Sequence, residues 1–175
     1  MASLLAQELL KRNEAYIERG HEPIPLLSEL GFTPLKMIFS CTDWRVKPEK
    51  VLGLTDADGA VVVKTASGTP ARNLNDIAAL DYLTTLTELI VIKHTDCGAL
   101  YMTEEQIRAH IRTHNADIDD GVLNNVVLGT THDIVERTRQ DVELIRNSPI
   151  IRKELRENVS GLLFDVTTGK LTKVI

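Results

Sequence analysis

Cysteine is scarce in this chain: Cys41 and Cys97 are the whole thiol inventory of its 175 residues. Met1 to Leu10 lacks the basic and apolar layout of an export signal. A disulfide framework is therefore the weaker reading of the two thiols, and metal binding or catalysis gains weight. Long apolar runs are lacking too. The longest, such as Leu89 to Ile92, are strand-sized, far short of the ~20 residues of a membrane span, so no membrane partner is expected. There is no basic block, and 20 Lys+Arg against 25 Asp+Glu leave a net charge of −5, which argues against a nucleic-acid partner. These absences together place the protein in the cytoplasm. No internal repeat or low-complexity tract interrupts it.

What is present is 43% hydrophobic residues, evenly spread, enough for one globular domain with a real core. Leu4, Leu5, Leu9, Leu10 and Ile17 recur at helical spacing through Met1 to Arg19, and Gly20 is a natural stop. His21 to Pro34 holds three of the six prolines and reads as a connector with a helical turn near Leu26. Strands are predicted at Leu35 to Ser40, Ala60 to Val63, Leu89 to Ile92, Gly161 to Val166 and Leu171 to Ile175, the last two around a Thr168-Gly169 turn. A helical turn is predicted at Pro48 to Leu52, and helices at Leu74 to Leu86, Thr103 to His114 and Thr131 to Arg146. Thr103-Glu104-Glu105-Gln106 forms a capping box, and Asn115 to Gly129 reads as a polar turn and a weaker apolar stretch. The early strands are apolar on both faces and alternate with helices, which predicts an α/β fold with a parallel centre.

Reactive residue types gather just after two of these strands: Cys41-Thr42-Asp43-Trp44-Arg45 and His94-Thr95-Asp96-Cys97-Gly98. Ligands bind outside the carboxyl ends of strands in open parallel sheets. Cys41, His94 and Cys97 brought to one point make a good zinc ligand set, with the fourth tetrahedral position left to water or substrate. A closed structural site would need a further ligand from His21, His110, His114 or Asp43. His110 and His114 share a helix face at i, i+4, but solvated helix histidines are the better reading. A cysteine nucleophile, Cys41 or Cys97 acting with His94, is the non-metal alternative.

The order Cys41-x-Asp43-x-Arg45, then His94-Thr95-Asp96-Cys97-Gly98, resembles the β-class carbonic anhydrase family. Pro48-Glu49, Leu52-Gly53-Leu54, the run from Asp141-Val142 to Ser148-Pro149, and Gly161 to Val166 with Thr168-Gly169 extend the likeness over Leu35 to Ile175. The resemblance implies a central, mainly parallel β-sheet flanked by helices. It implies a single domain in which residues 1–34 form the N-terminal helix and connector and residues 35–175 the zinc-binding core. It implies Zn2+ on Cys41, His94 and Cys97, with Asp43 and Arg45 as the catalytic dyad. The guanidinium would hold the carboxylate off the metal, and Asp43 would then accept the nucleophile's hydrogen bond and orient it. Thr95 and Asp96 would orient His94 and its loop, and Gly98 would permit a tight turn. It also implies self-association as a dimer or tetramer, with the N-terminal helix packing on a partner subunit. Trp44, the single tryptophan, would pack in that interface or line the pocket.

The implied reaction is attack of hydroxide on a small linear heteroallene. Hydration of carbon dioxide to bicarbonate is favoured, and hydrolysis of carbonyl sulfide to carbon dioxide and hydrogen sulfide comes second. A non-catalytic zinc protein is a remote third. Lys64-Thr65-Ala66-Ser67-Gly68 departs from the family's Asn-Ala-Gly-Gly-like stretch, and Ala99 stands where a larger residue is usual. Both departures point to a roomier, less polar pocket.

Overall fold

Strands that are apolar on both faces need cover on both sides, and the parallel pairing of the first three requires helical crossovers between them. A computed structural model of the protein describes residues 2–31, 33 and 35–175. The chain divides into two units, Met1–Phe32 and Thr33–Ile175. Met1, Phe32 and Pro34, at the ends of the expected helix and connector, lie outside the described residues.

In the N-terminal unit, α1 spans Ala2–Glu18 and α2 is a single turn, Leu27–Leu30. Gly20, at φ +99°, ends α1 as expected, its N–H donating to the Ile17 carbonyl at 3.0 Å. Among the described side chains of this segment, Leu5, Leu9, Leu10, Tyr16 and Ile17 are all exposed.

The second unit is built on β1 (Lys36–Cys41), β2 (Ala60–Thr65), β3 (Glu88–His94), β4 (Val159–Phe164) and β5 (Leu171–Lys173). Their spatial order is β2-β1-β3-β4-β5, parallel throughout except for the antiparallel β4–β5 hairpin. Gly169, at φ +74°, turns that hairpin, and Asp165 Oδ1 accepts from the Thr167 and Thr168 amides. The helices are α3 (Pro48–Val51), α4 (Leu74–Thr84), α5 (Glu104–His114), α6 (Asp120–Asn124), α7 (Ile134–Arg146) and α8 (Lys153–Glu157).

One sheet face presents Met37, Phe39, Leu89 and Val91 to Ile77 of α4, Val142 and Ile145 of α7 and Leu155 of α8. The other packs Ile38 and Ile92 against Val46 and Phe164. Each such fully buried side chain contributes about 1.5–3 kcal/mol of transfer free energy.

Differences from the sequence reading sit at element ends and in short elements. The Thr103 capping box forms as expected, with Thr103 Oγ1 accepting from the Gln106 amide and the Gln106 side chain from the Thr103 amide. Helix α7 begins at Ile134 rather than Thr131, because Asp133 Oδ1 takes the Val135 and Glu136 amides and so caps the helix. Helix α4 ends at Thr84, where Thr85 turns left-handed at φ +56°. The one-turn helices α6 and α8 carry too few residues to show a period.

Candidate metal centre

The register of the central strands brings the two reactive segments together. Ser40 lies beside Ile92 in the β1–β3 pair, so the carboxyl ends of both strands open at one edge. Cys41 is the last residue of β1, His94 the last of β3, and Cys97 follows within three residues. All three are buried, and their ligand atoms lie within 4.8 Å of one another. Among the described residues no other group of three or more His, Cys, Asp or Glu converges in this way.

The donor chemistry fits a metal ion. His94 Nδ1 lies 2.9 Å from the Thr95 carbonyl oxygen, which can only accept, so Nδ1 carries the proton. That leaves Nε2 with a free lone pair, and Nε2 is buried with no hydrogen-bond partner. An orphaned buried acceptor is costly and calls for an explanation. The Cys41 and Cys97 sulfurs stand 3.9 Å apart, well beyond a disulfide bond. Two sulfurs each about 2.3 Å from one tetrahedral ion would stand roughly 3.8 Å apart. The hydrogen bond between the thiols holds Cys41 down to about 4, against its burial, with His94 adding a smaller push the same way. The same bond, with burial, pushes the Cys97 thiol up. Binding of a divalent cation to these sulfurs would release thiol protons.

Beside this group, Arg45 grips Asp43 along one edge. Nε donates to Oδ1 at 3.0 Å and Nη2 to Oδ2 at 2.7 Å, and the Arg45 amide donates to Oδ1 at 2.9 Å. The guanidinium holds the Asp43 carboxyl at about 2, so it is an acceptor across the neutral range. Asp43 Oδ2 is 3.9 Å from His94 Nε2.

A cavity of about 190 Å3 opens over the cysteines, lined also by Thr42, Asp43, Ala66, Ser67, Gly98, Ala99 and Met102. A smaller one of about 70 Å3 adjoins it through Ala66, Ser67, Ala99 and Met102 and continues to Ile107 and Leu128. A larger hollow of about 450 Å3 lies between Arg146, Lys153, Arg156 and Glu157. It offers no thiol or imidazole, so chemistry rather than size singles out the Cys41 cavity.

Other sequence expectations resolve as follows. His110 and His114 are exposed, with His114 Nδ1 bonded to the His110 carbonyl, and they join no converging group. His21 bonds Tyr16 within the N-terminal unit. Trp44 is 81% exposed in the chain and lines neither cavity. Thr95 does anchor the loop, its amide donating to Phe164 and its hydroxyl accepting from the Val166 amide. The tight turn expected at Gly98 forms as a 3-10 turn over Gly98–Leu100, while the left-handed residue of the loop is Asp96, at φ +53°.

Two features escaped the sequence reading. Lys93 is fully buried, its ammonium donating to the Ser67 carbonyl at 2.7 Å and pairing with Asp141 Oδ2 at 2.6 Å. Asp141 Oδ1 meets Thr69 Oγ1 at 3.0 Å and Arg137 Nε at 3.1 Å. The second is the Ser67-Gly68 turn, left-handed at both residues. A Cβ on Gly68 would meet the Cys41 nitrogen at 2.9 Å, so this glycine lets the pocket wall close onto β1. Ser67-Gly68 itself was the available signal for that turn.

A buried cluster of two cysteines and one histidine at the carboxyl edge of a parallel sheet, with a gripped carboxylate beside it, defines the class: an α/β protein whose donor set could hold a metal ion. The family profile described as carbonic anhydrase matches residues 36–171. The chain belongs to the β-carbonic anhydrase family, a family of enzymes. It is similar to beta-carbonic anhydrase 1 of Mycobacterium tuberculosis, 26% identical over 97% of this chain and 98% of that one. It is likewise similar to carbon disulfide hydrolase of Saccharolobus solfataricus, 27% identical over 99% of this chain and 90% of that one. Among solved structures, the carbonic anhydrase from Streptococcus mutans superposes with a TM-score of 0.76 at 26% identity, covering 97% and 96% of the two chains.

Proposed function

We propose that this protein is a zinc enzyme that adds water to a small linear heteroallene, with reversible hydration of carbon dioxide to bicarbonate as its principal reaction. The observation that carries the reading is the orphaned His94 Nε2 converging with the Cys41 and Cys97 sulfurs beside a carboxylate already gripped by Arg45. Cys41, His94 and Cys97 hold Zn2+. When bound, the ion would acidify a water and so supply a hydroxide nucleophile, with two thiolates acidifying it less than imidazole ligands, which bring it to about 7, and so favouring activity at higher pH. Asp43 accepts the hydrogen bond of the attacking hydroxyl and aims its lone pair at the substrate carbon. Arg45 keeps Asp43 in that orientation. Ala66, Ala99 and Met102 line the cavity beside the reacting atoms.

Carbonyl sulfide hydrolysis is the second reading, and a specific observation favours it. Ala66, Ala99 and Met102 form the apolar part of the wall, and the adjoining cavity, lined also by Arg72 and Thr130, runs on to Ile107 and Leu128, which offers room for sulfur, larger and a weaker acceptor than oxygen. The test is a side-by-side assay of carbon dioxide hydration and carbonyl sulfide loss on zinc-replete protein, with and without a chelator. Fast hydration that chelation abolishes is expected. Efficient hydrogen sulfide release with weak hydration would reverse the order of the two substrates. Activity that survives complete zinc removal would point to a cysteine nucleophile, and no activity on either substrate to a non-catalytic zinc protein.

A dimer or larger assembly fits the same reading. The exposed Leu5, Leu9, Leu10, Tyr16 and Ile17 on α1 need a surface to pack on, and a partner subunit supplies one. Deleting residues 1–19 is expected to lower the mass measured by light scattering or to cause aggregation, and an unchanged active oligomer would refute it. A reducing cytoplasm suits the two free cysteines.

A further inference from the structure

Arg45 serves two carboxylates. While Nε and Nη2 engage Asp43, Nη1 donates to Asp96 Oδ2 at 2.7 Å and Nη2 also reaches the Asp96 backbone carbonyl at 2.9 Å. The other Asp96 oxygen, Oδ1, accepts from the Tyr101 hydroxyl at 2.6 Å. A continuous chain, Asp43–Arg45–Asp96–Tyr101, therefore runs from the cavity to the surface, where the Asp96 side chain is 49% exposed and Tyr101 74%.

The arrangement has a physical purpose. Asp43 Oδ2 is only 3.9 Å from His94 Nε2, so a modest side-chain rotation would carry this carboxylate to the point where the three ligand atoms converge. A divalent cation there would attract it strongly. The opposing Asp43–Arg45 pair is partly exposed, and such pairs are weak when nothing else fixes the long arginine side chain. Asp96 supplies the missing anchor by taking both a side-chain and a backbone contact on the far edge of the guanidinium. Asp96 itself is held in a left-handed conformation, φ +53°, a cost that persists only where surrounding contacts over-determine it. The Arg45 and Tyr101 bonds are those contacts.

We propose that Asp96 and Tyr101 are positioning residues: they fix the far edge of Arg45, so that Arg45 holds Asp43 away from the metal and keeps its remaining coordination position open. This rests on the metal-centre reading of Cys41, His94 and Cys97. The test uses full-length protein loaded with cobalt, at one neutral pH and fixed salt, as wild type, Asp96→Asn and Tyr101→Phe. Asparagine tolerates the left-handed backbone, and phenylalanine removes only the hydroxyl. Thiolate-to-cobalt charge-transfer absorption reports the ligand set. The affinity for thiocyanate, a small linear anion, reports the open position. Asp96→Asn is expected to keep the charge-transfer band and bind thiocyanate about tenfold more weakly, as losses of outer partners do. Tyr101→Phe should show a smaller loss in the same direction. Adding Asp43→Ala to Asp96→Asn should return the affinity, because the competing carboxylate is gone. Equal thiocyanate affinity in wild type and in both single variants would overturn the proposal while leaving the metal centre standing. A wild-type protein with no thiolate–cobalt band would overturn the metal-centre reading and this proposal with it. If Asp96→Asn does not fold, Tyr101→Phe alone decides.

Discussion

Replacing Cys41 with serine should leave a folded protein that no longer holds zinc and has lost activity by more than about a hundredfold, beyond what removal of a mere outer partner costs. The hydrogen bond between the Cys41 and Cys97 sulfurs lowers the Cys41 pKa, and a thiolate is the form that binds a metal. A serine hydroxyl at that position stays protonated at neutral pH and is a poor ligand for a borderline-soft ion. The serine is nearly isosteric, and Cys41 contributes to a small cluster with Cys97 and Ala99 rather than to either main core cluster, so unfolding is not the expected cause of the loss. Zinc content by atomic emission, circular dichroism and the hydration assay on one preparation check all three statements. Full zinc content with normal activity would remove Cys41 from the ligand set.

The second large effect falls on stability. Lys93→Met should destabilise the protein by about 3–5 kcal/mol, the range seen when one partner of a buried ion pair is deleted. Burial lowers the Lys93 pKa and Asp141 opposes that shift, so the ammonium owes its charge in the interior to this carboxylate. Removing it takes the cation from Asp141 Oδ2, on a side chain 2% exposed, and leaves Arg137 and Thr69 on Oδ1 as its partners. It also frees the Ser67 carbonyl at the left-handed turn that walls the cavity. The double variant Lys93→Met/Asp141→Leu should recover much of the loss, because two apolar side chains need no counter-ion and Arg137 can reach solvent. Urea unfolding of the two single variants and the double variant measures the coupling as a cycle. Additive losses would mean that the two charges do not depend on each other.

These two effects differ in how far they could be foreseen. Cys41, Asp43, Arg45, His94 and Cys97 stand out in the sequence because each lies within a few residues of a strand end, and strand ends are legible from short apolar runs. Local chemistry likewise determined the helix start capped by Thr103 and, three residues later than expected, the start of α7 capped by Asp133, since a capping side chain bonds amides two or three positions away. The hairpin at Thr168-Gly169 is of the same kind. In LIVIK, by contrast, Lys93 looks like the polar end of a strand. It is wholly buried because α7 docks on that face of the sheet and brings Asp141 to it.

What the sequence alone determined about this protein is its α/β pattern, its helix and turn signals and the identity of the candidate ligands and dyad. Tertiary structure alone decided the geometry around them. Arg45 meets Asp96 across 51 positions and Thr69 meets Asp141 across 72. The pocket wall joins Ala66 and Ser67 to Ala99 and Met102. Such contacts depend on strand order and helix docking, which follow from burying both faces of the sheet at once, and no short-range periodicity carries that information.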